Sequence, residues 1–129
     1  PANGKPKQFM ADRLTDDAIA WMSAAKEPIF CCLSHYSVHT PIEAPPADLA
    51  ATPEAAEGSR HRNRRYAAML KNLDDNCGRV MKFLSETDDP MRAGHKLMEN
   101  TLIIFTSDNG GLGGYRKAGI GGEVLCTVF

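Results

Sequence analysis

The chain has 129 residues, the size of one ordinary domain, and its 43% hydrophobic and 24% charged residues are normal for a globular protein. Its formal net charge of -1 favours neither nucleic acid nor an acidic membrane surface as a partner. No apolar run approaches the roughly 20 residues of a membrane span, and the opening residues, PANGKPKQF, lack a signal pattern.

The first predicted element is a helix within DRLTDDAIAWMSAAKEP. Thr15 offers a capping hydroxyl, and the two acids after it suit the positive end of a helix dipole. Pro28 ends the helix. The short apolar run IFCCLS, Ile29 to Ser34, then predicts a buried strand that leads into the loop HYSVHTPIEAPP.

The middle of the chain predicts a surface loop from Ala47 to Ser59 and a long amphipathic helix from Arg60 to Ser85. The helix carries one apolar stripe, formed by Tyr66, Met69, Leu70, Leu73, Cys77, Val80, Met81 and Leu84. Its first residues, RHRNRR, could grip phosphates, but positive charge is unfavourable at a helix start. A solvated surface is the favoured interpretation of this basic cluster.

The last third begins with a connector, TDDPMRAGHKLMEN, and continues into a second buried strand, TLIIF. A glycine-rich loop, SDNGGLGGYRKAGIGG, follows. Apolar strands that alternate with helices indicate an α/β fold with a mostly parallel sheet flanked by helices. Two strands do not complete such a sheet, so we expect residues 1–129 to be a single partial domain. An exposed sheet edge would favour self-association of the chain.

The four cysteines, Cys31, Cys32, Cys77 and Cys126, form no C-x-x-C pair. Zinc sites and thioredoxin-like chemistry are therefore disfavoured. Cys31 and Cys32 are adjacent in the first apolar run, where they would point to opposite faces of a strand. We expect buried, unpaired thiols.

Candidate functional residues follow the two predicted strands, where ligands bind in open α/β sheets. His39 follows the first strand and could contact an anion or act as a general acid. Asp108 and Asn109 follow the second and offer hard oxygen donors for calcium or magnesium. Lys117, with Arg116, could neutralise an anionic substrate. The bland alternatives are a surface histidine, an ordinary Asp-Asn-Gly-Gly turn and solvated basic residues.

Three segments resemble the sulfatase family, in family order: PIFCCLSHYSVHTPIEAP, YAAMLKNLDDNCGRVMKFL and NTLIIFTSDNGG. The resemblance implies an alkaline-phosphatase-like fold, hydrolysis of sulfate esters at a calcium site, and an exported or lysosomal location. It implies that Asp108 and Asn109 are metal ligands, and that His39 and Lys117 bind the sulfate group. His39 would also help to protonate the leaving group.

The sequence departs from the family pattern at the nucleophile. The family's formylglycine arises within a C/S-x-P-x-R motif, which these 129 residues lack, as they lack the early acidic metal ligands. From Ala118 onward, the segment AGIGGEVLCTVF resembles the family sequence only weakly. We therefore expect the chain by itself to be inactive. The alternatives are a phosphodiesterase or phosphatase of the same superfamily, or an inactive structural or partner-binding remnant.

Overall fold

The computed structural model describes residues 8–54 and 63–110. This part of the chain contains helix α1 (Met10–Ala24), helix α2 (Pro46–Ala51), helix α3 (Arg64–Glu86) and a 3-10 helix (Leu97–Asn100). The described residues fall into two compact units. The first unit comprises 8–36 and 72–102, and the second comprises 37–54, 63–71 and 103–110. One of the three points at which the chain passes between the units, after Lys71, falls within α3.

Helix α1 begins earlier than its sequence suggests. Its N-cap is Phe9, whose backbone is extended and whose carbonyl accepts the Arg13 amide at 3.0 Å. The prediction that Thr15 caps the helix is wrong, because Thr15 lies in the helix interior and is fully buried. Ala11, Thr15 and Met22 share one face and form the buried side of the helix. The helix ends at Ala24, before Pro28.

Helix α3 confirms the long predicted helix, with 23 residues and a length of about 35 Å. The Asn63 side chain accepts the Tyr66 amide at 3.1 Å, which is the bond that an N-cap makes. The predicted apolar stripe is only partly buried: Met69 and Leu84 are enclosed, whereas Leu70 and Met81 are exposed. Arg60 to Arg62 of the basic cluster lie outside the described residues.

Two buried asparagines, rather than a purely apolar stripe, join α3 to α1. Asp12 of α1 accepts hydrogen bonds from Asn72 Nδ2 at 3.0 Å and from Asn76 Nδ2 at 2.8 Å through the same oxygen, Oδ1. Arg79 donates to Asn76 Oδ1 at 2.9 Å and also forms an ion pair with Asp16. A shared charged acceptor thus fixes the contact between the helices in the first unit.

The predicted surface loop from Ala47 to Ser59 is corrected in its first part, where α2 forms. Proline occupies the first turn of α2, a position that tolerates a residue without an amide hydrogen. The C-cap of α2 is Thr52, whose carbonyl accepts Arg64 Nε at 2.7 Å. The Arg64 guanidinium also lies 2.8 Å from Glu54. Residues 55–59 lie outside the described residues.

The connector after α3 is an ordered hairpin-like turn. An antiparallel bridge pairs Asp88 with Lys96. At its base, the Leu97 amide donates to the Thr87 carbonyl at 2.9 Å. The chain reverses at Gly94, whose φ of 81° lies in the left-handed region that favours glycine. This turn brings the chain from the end of α3 to the 3-10 helix.

The two predicted strands are not formed in the described residues, which contain no β-strand. IFCCLS and TLIIF lie outside any β-ladder, and their side chains are largely exposed, with Phe30 at 88% and Leu102 at 86%. A strand is buried only when neighbouring strands pair with it and helices cover it, and no described segment does so. The prediction of buried thiols is likewise wrong for Cys31 and Cys32, which are exposed.

The structure also leaves several large side chains on the helix surfaces. Trp21 of α1, the only tryptophan of the chain, is 51% exposed.

None of the described helices is long and apolar enough to cross a membrane. The prediction of a single partial domain stays a prediction.

Candidate functional site

Asp108 and Asn109 form a bend at the end of the apolar segment Thr101–Phe105. Both residues are exposed, and the Ser107 hydroxyl donates to the Asn109 carbonyl across the bend. Short polar side chains next to glycine are the usual composition of such a bend. The carboxylate and the side-chain amide of this bend are therefore both accessible to solvent.

His39 lies in the loop that follows IFCCLS and is exposed. Its Nδ1 atom is 2.8 Å from the carbonyl oxygen of Thr40. A carbonyl only accepts hydrogen bonds, so Nδ1 carries the proton in this arrangement. In the neutral ring, Nε2 then carries the lone pair and can accept a proton. Once Nε2 is protonated, it is the nitrogen that could pass a proton to a leaving group.

The second compact unit contains His39, Asp108 and Asn109. The structure thus assigns three of the four predicted site residues to one unit, although the chain separates His39 from Asp108 by most of the described sequence. Lys117 lies outside the described residues, as does Arg116.

His35, a second histidine of the loop after IFCCLS, belongs to the first unit. Both ring nitrogens are enclosed and have no hydrogen-bond partner among the residues that the structure describes. Burial lowers the pKa of the His35 imidazole below its ordinary value, since desolvation disfavours the charged ring. His35 is therefore a neutral, packed histidine at pH values above its ordinary pKa. No spacing in the sequence distinguishes it from His39 in this respect.

The metal-binding capacity of the described residues is limited. They contain no group of three or more His, Cys, Asp or Glu side chains that could hold a metal ion. The Asp108 carboxylate and the Asn109 amide are oxygen donors that suit calcium, but calcium takes about 6–8 oxygen ligands. These two residues fit the chemistry of a calcium site and supply only part of it. Further ligands would have to come from other residues.

Comparison with known proteins identifies the family. The sulfatase family model matches residues 1–123, a range that includes His39, Asp108, Asn109 and Lys117. The chain belongs to the sulfatase family. Membership confirms the resemblance seen in the three sequence segments, and it implies the α/β fold of this family even though the described residues contain no sheet.

Several sulfatases are similar to this chain over much of its length. A sulfatase from Formosa agariphila is 37% identical over 119 residues, which cover 86% of this chain and 21% of the relative. An N-acetylgalactosamine-6-sulfatase from Sus scrofa is 29% identical over 85% of this chain and 18% of the relative. Arylsulfatase J from Mus musculus is 32% identical over 66% of this chain and 12% of the relative. The chain therefore covers 12–21% of the length of these three relatives. No solved structure gives a significant match.

Proposed function

We propose that this chain is part of the catalytic domain of a sulfuric ester hydrolase, and that the complete domain has an alkaline-phosphatase-like α/β fold. The observation that carries the proposal is the family match over residues 1–123, which spans every predicted site residue. The sulfatase names of the relatives support this function over a phosphodiesterase or phosphatase of the same superfamily. An inactive structural remnant is the other alternative.

In the proposed site, Asp108 and Asn109 are two ligands of a calcium ion. A bound divalent cation would stabilise the negative charge that develops on the sulfuryl oxygens. The exposed bend supports this role, because both side chains are accessible to solvent at consecutive positions. The glycine at position 110 leaves room for a close approach to the backbone.

In the same site, His39 and Lys117 would contact the sulfate group. Lys117 would supply a fixed positive charge, and His39 would hold a proton at Nε2 for the departing alcohol. The hydrogen bond from Nδ1 to the Thr40 carbonyl supports this role, because it orients the ring and engages Nδ1, so that Nε2 is the nitrogen that would transfer the proton. The nucleophile, a formylglycine, would come from residues other than these 129, which contain no C/S-x-P-x-R motif.

The substrate of the complete protein would be a sulfate ester, and its location would be exported or lysosomal, as the family suggests. Nothing in the net charge of -1 favours nucleic acid as a partner. Exposed apolar segments in the described residues support self-association of the chain on its own.

The proposal is tested by substituting Asp108 in a full-length protein that contains this chain. Asp108→Ala should abolish hydrolysis of an aryl sulfate, because the metal site loses a charged ligand. Asp17→Ala is the matched control, since Asp17 is an exposed carboxylate of α1 that pairs only locally with Arg13. The control should leave the rate unchanged. Full activity of the Asp108→Ala protein would mean that the bend is only a turn.

A second measurement uses the 129-residue chain itself. We expect no turnover of an aryl sulfate above the buffer rate, because the chain contains part of the charge-stabilising groups but no nucleophile. We also expect calcium affinity weaker than about 1 μM, since two ligands do not make a calcium site. Aryl sulfate turnover by the pure chain, or tight calcium binding in a titration, would contradict this division of the site.

A further inference from the structure

Asn109 lies in the exposed bend and is followed directly by Gly110, which is also exposed. An asparagine is open to attack from within the chain, because the next backbone nitrogen can reach the side-chain amide carbon and close a five-membered ring. Glycine has no Cβ and therefore hinders this approach least. Neither residue belongs to a helix or a strand, so regular secondary structure does not hold the Gly110 nitrogen away from the side chain.

The hydroxyl of Ser107 adds a second feature to this bend. It donates a hydrogen bond to the Asn109 carbonyl oxygen. That oxygen and the Gly110 nitrogen belong to one conjugated peptide group, so the negative charge of the deprotonated nitrogen is shared with the oxygen. A donor aimed at an atom where charge develops stabilises that charge. The hydrogen bond therefore favours the deprotonated Gly110 nitrogen, which is the attacking form.

The other described asparagines lack this combination. Asn72 and Asn76 are nearly fully buried inside α3, where the amide of the next residue takes part in helix hydrogen bonding. The side-chain oxygen of Asn63 accepts a backbone amide at the start of α3. Asn100 is the last residue of the 3-10 helix and precedes the β-branched Thr101. Sequence and structure together single out Asn109.

We propose that Asn109 is a site of spontaneous deamidation, and that the Ser107 hydroxyl promotes the reaction. The Gly110 nitrogen gives its proton to solvent and forms a bond to Cγ of Asn109. The side-chain nitrogen leaves as ammonia with a proton from solvent, and a succinimide ring remains. Water opens this ring at Cγ to give aspartate, or at the backbone carbonyl to give isoaspartate. One water is consumed, one ammonia is released, and nothing is oxidised or reduced.

Either product places a new carboxylate next to that of Asp108, so the local charge falls by one. The reaction requires only residues of the bend and takes place whether or not they bind a metal. Its effect on a calcium site, in which a charged ligand would replace an uncharged one, rests on the proposed function. The measurement below detects the reaction itself and uses no sulfate ester, so its failure is distinct from a failure of the proposed function.

The test is peptide mapping of the pure 129-residue chain during incubation in neutral buffer. Trypsin releases Asn109 in the peptide 97–116, and fragmentation in a mass spectrometer assigns the gain of about 1 Da to Asn109 or to Asn100. Asn3 also precedes a glycine, lies outside the described residues and is released in a separate peptide, so it is an internal reference. We expect deamidation at Asn109, with isoaspartate among the products, while Asn72 and Asn76 stay unchanged.

Ser107→Ala should slow the reaction at Asn109 by about 2- to 10-fold, the factor that one hydrogen bond contributes. The rate at Asn3 should not change in this variant. Ser85→Ala is the matched control, since the Ser85 hydroxyl also donates to a backbone carbonyl, that of Lys82 at 2.9 Å, but within α3. The control should deamidate at Asn109 like the unaltered chain, and circular dichroism verifies that both variants keep their helices.

Gly110→Ala tests the attacking atom. The added Cβ crowds the backbone nitrogen, so the reaction at Asn109 should slow by roughly tenfold or more. Three results would overturn the proposal. Asn109 could stay unmodified while Asn3 reacts, which would mean that the bend protects it. The Ser107→Ala chain could react as fast as the unaltered one, which would remove the role of the hydroxyl. Gly110→Ala could leave the rate unchanged, which would exclude attack by this nitrogen.

Discussion

The hydrogen bonds to Asp12 make a quantitative prediction about the stability of the first unit. One carboxylate oxygen accepts both Asn72 Nδ2 and Asn76 Nδ2, so Asp12→Ala removes two bonds between α1 and α3 at once. The two asparagines are nearly fully buried, and water cannot replace the lost acceptor without entering the contact. The substitution should therefore destabilise the fold well beyond the level of a surface change.

The size of the effect follows from the partners that remain. A hydrogen bond to a charged group contributes about 1.5–3 kcal/mol. Asn76 Nδ2 keeps a second acceptor, the Asn72 carbonyl at 2.8 Å, so the loss of its hydrogen bond to Asp12 is partly compensated. Asp12 also lies in the first turn of α1, where a negative charge adds about 0.3–1 kcal/mol. Together these terms give a loss of about 2–3 kcal/mol for Asp12→Ala. Asp12→Asn keeps an acceptor oxygen and should lose about 1 kcal/mol.

Urea unfolding followed by far-ultraviolet circular dichroism measures these free energies. Asp17→Ala is the control, because its exposed pair with Arg13 at i and i+4 contributes only about 0.3–0.5 kcal/mol. A double-mutant cycle of Asp12→Ala with Asn76→Ala should give a coupling energy of about 1 kcal/mol. If Asp12→Ala costs no more than Asp17→Ala, the shared acceptor does not hold the helices together.

Two further predictions concern glycines and pH. Gly78→Ala should stabilise the chain by about 1 kcal/mol, because Gly78 lies inside α3 and an added Cβ would meet no atom within 4 Å. Gly94→Ala should destabilise the chain by about 1–2 kcal/mol, since its φ of +81° strains any L side chain. Urea unfolding measures whether each substitution raises or lowers the free energy of unfolding. Equal changes for the two glycines would contradict the argument. Hydrogen bonds from His95 and from the Lys96 backbone lower the pKa of Glu99. A lowered folded-state pKa contributes stability that is complete above the ordinary value of about 4.5 and is lost as the pH falls through the folded value. The stability difference between the unaltered chain and Glu99→Gln should thus shrink below about pH 4.5, and a difference that grows on acidification would refute the assignment.

The sequence predicted the helices well where their signals are local. The 3.6-residue spacing of apolar side chains places α3 within a few residues of its observed bounds. This spacing is a local property of the sequence and does not depend on tertiary contacts. The predicted start of α1 is wrong because threonine is a residue type that often caps helices, whereas Thr15 is buried inside this one. In place of a side-chain cap, the helix starts from the extended backbone of Phe9.

The buried asparagines and the exposed apolar segments could not be predicted from periodicity. Asn72 and Asn76 resemble ordinary polar positions, and only the position of Asp12 in space makes them part of the core. Conversely, an apolar strand is buried by its neighbours and not by its own composition. Ile29–Ser34 and Thr101–Phe105 are therefore exposed wherever no neighbouring strand pairs with them.

The candidate site, like the fold, could be predicted only in part from the sequence. The motifs of the sequence predict His39, Asp108 and Asn109 as site residues, and all three lie in one compact unit of the structure. Their roles stay predictions. No signal in the sequence predicts that the ring nitrogens of His35 are enclosed, because burial depends on tertiary packing. The role of Lys117 stays a prediction.

The exposure of Trp21 has a consequence for optical measurements on this chain. An indole that is already 51% exposed in the folded state emits much as it does in an unfolded chain. Because the chain has no other tryptophan, its intrinsic fluorescence reports on the outer face of α1 and is nearly silent on the loss of the core. The same indole is instead well placed as a contact sensor: a quencher, or a molecule that docks on α1, would change its emission while the fold stays intact.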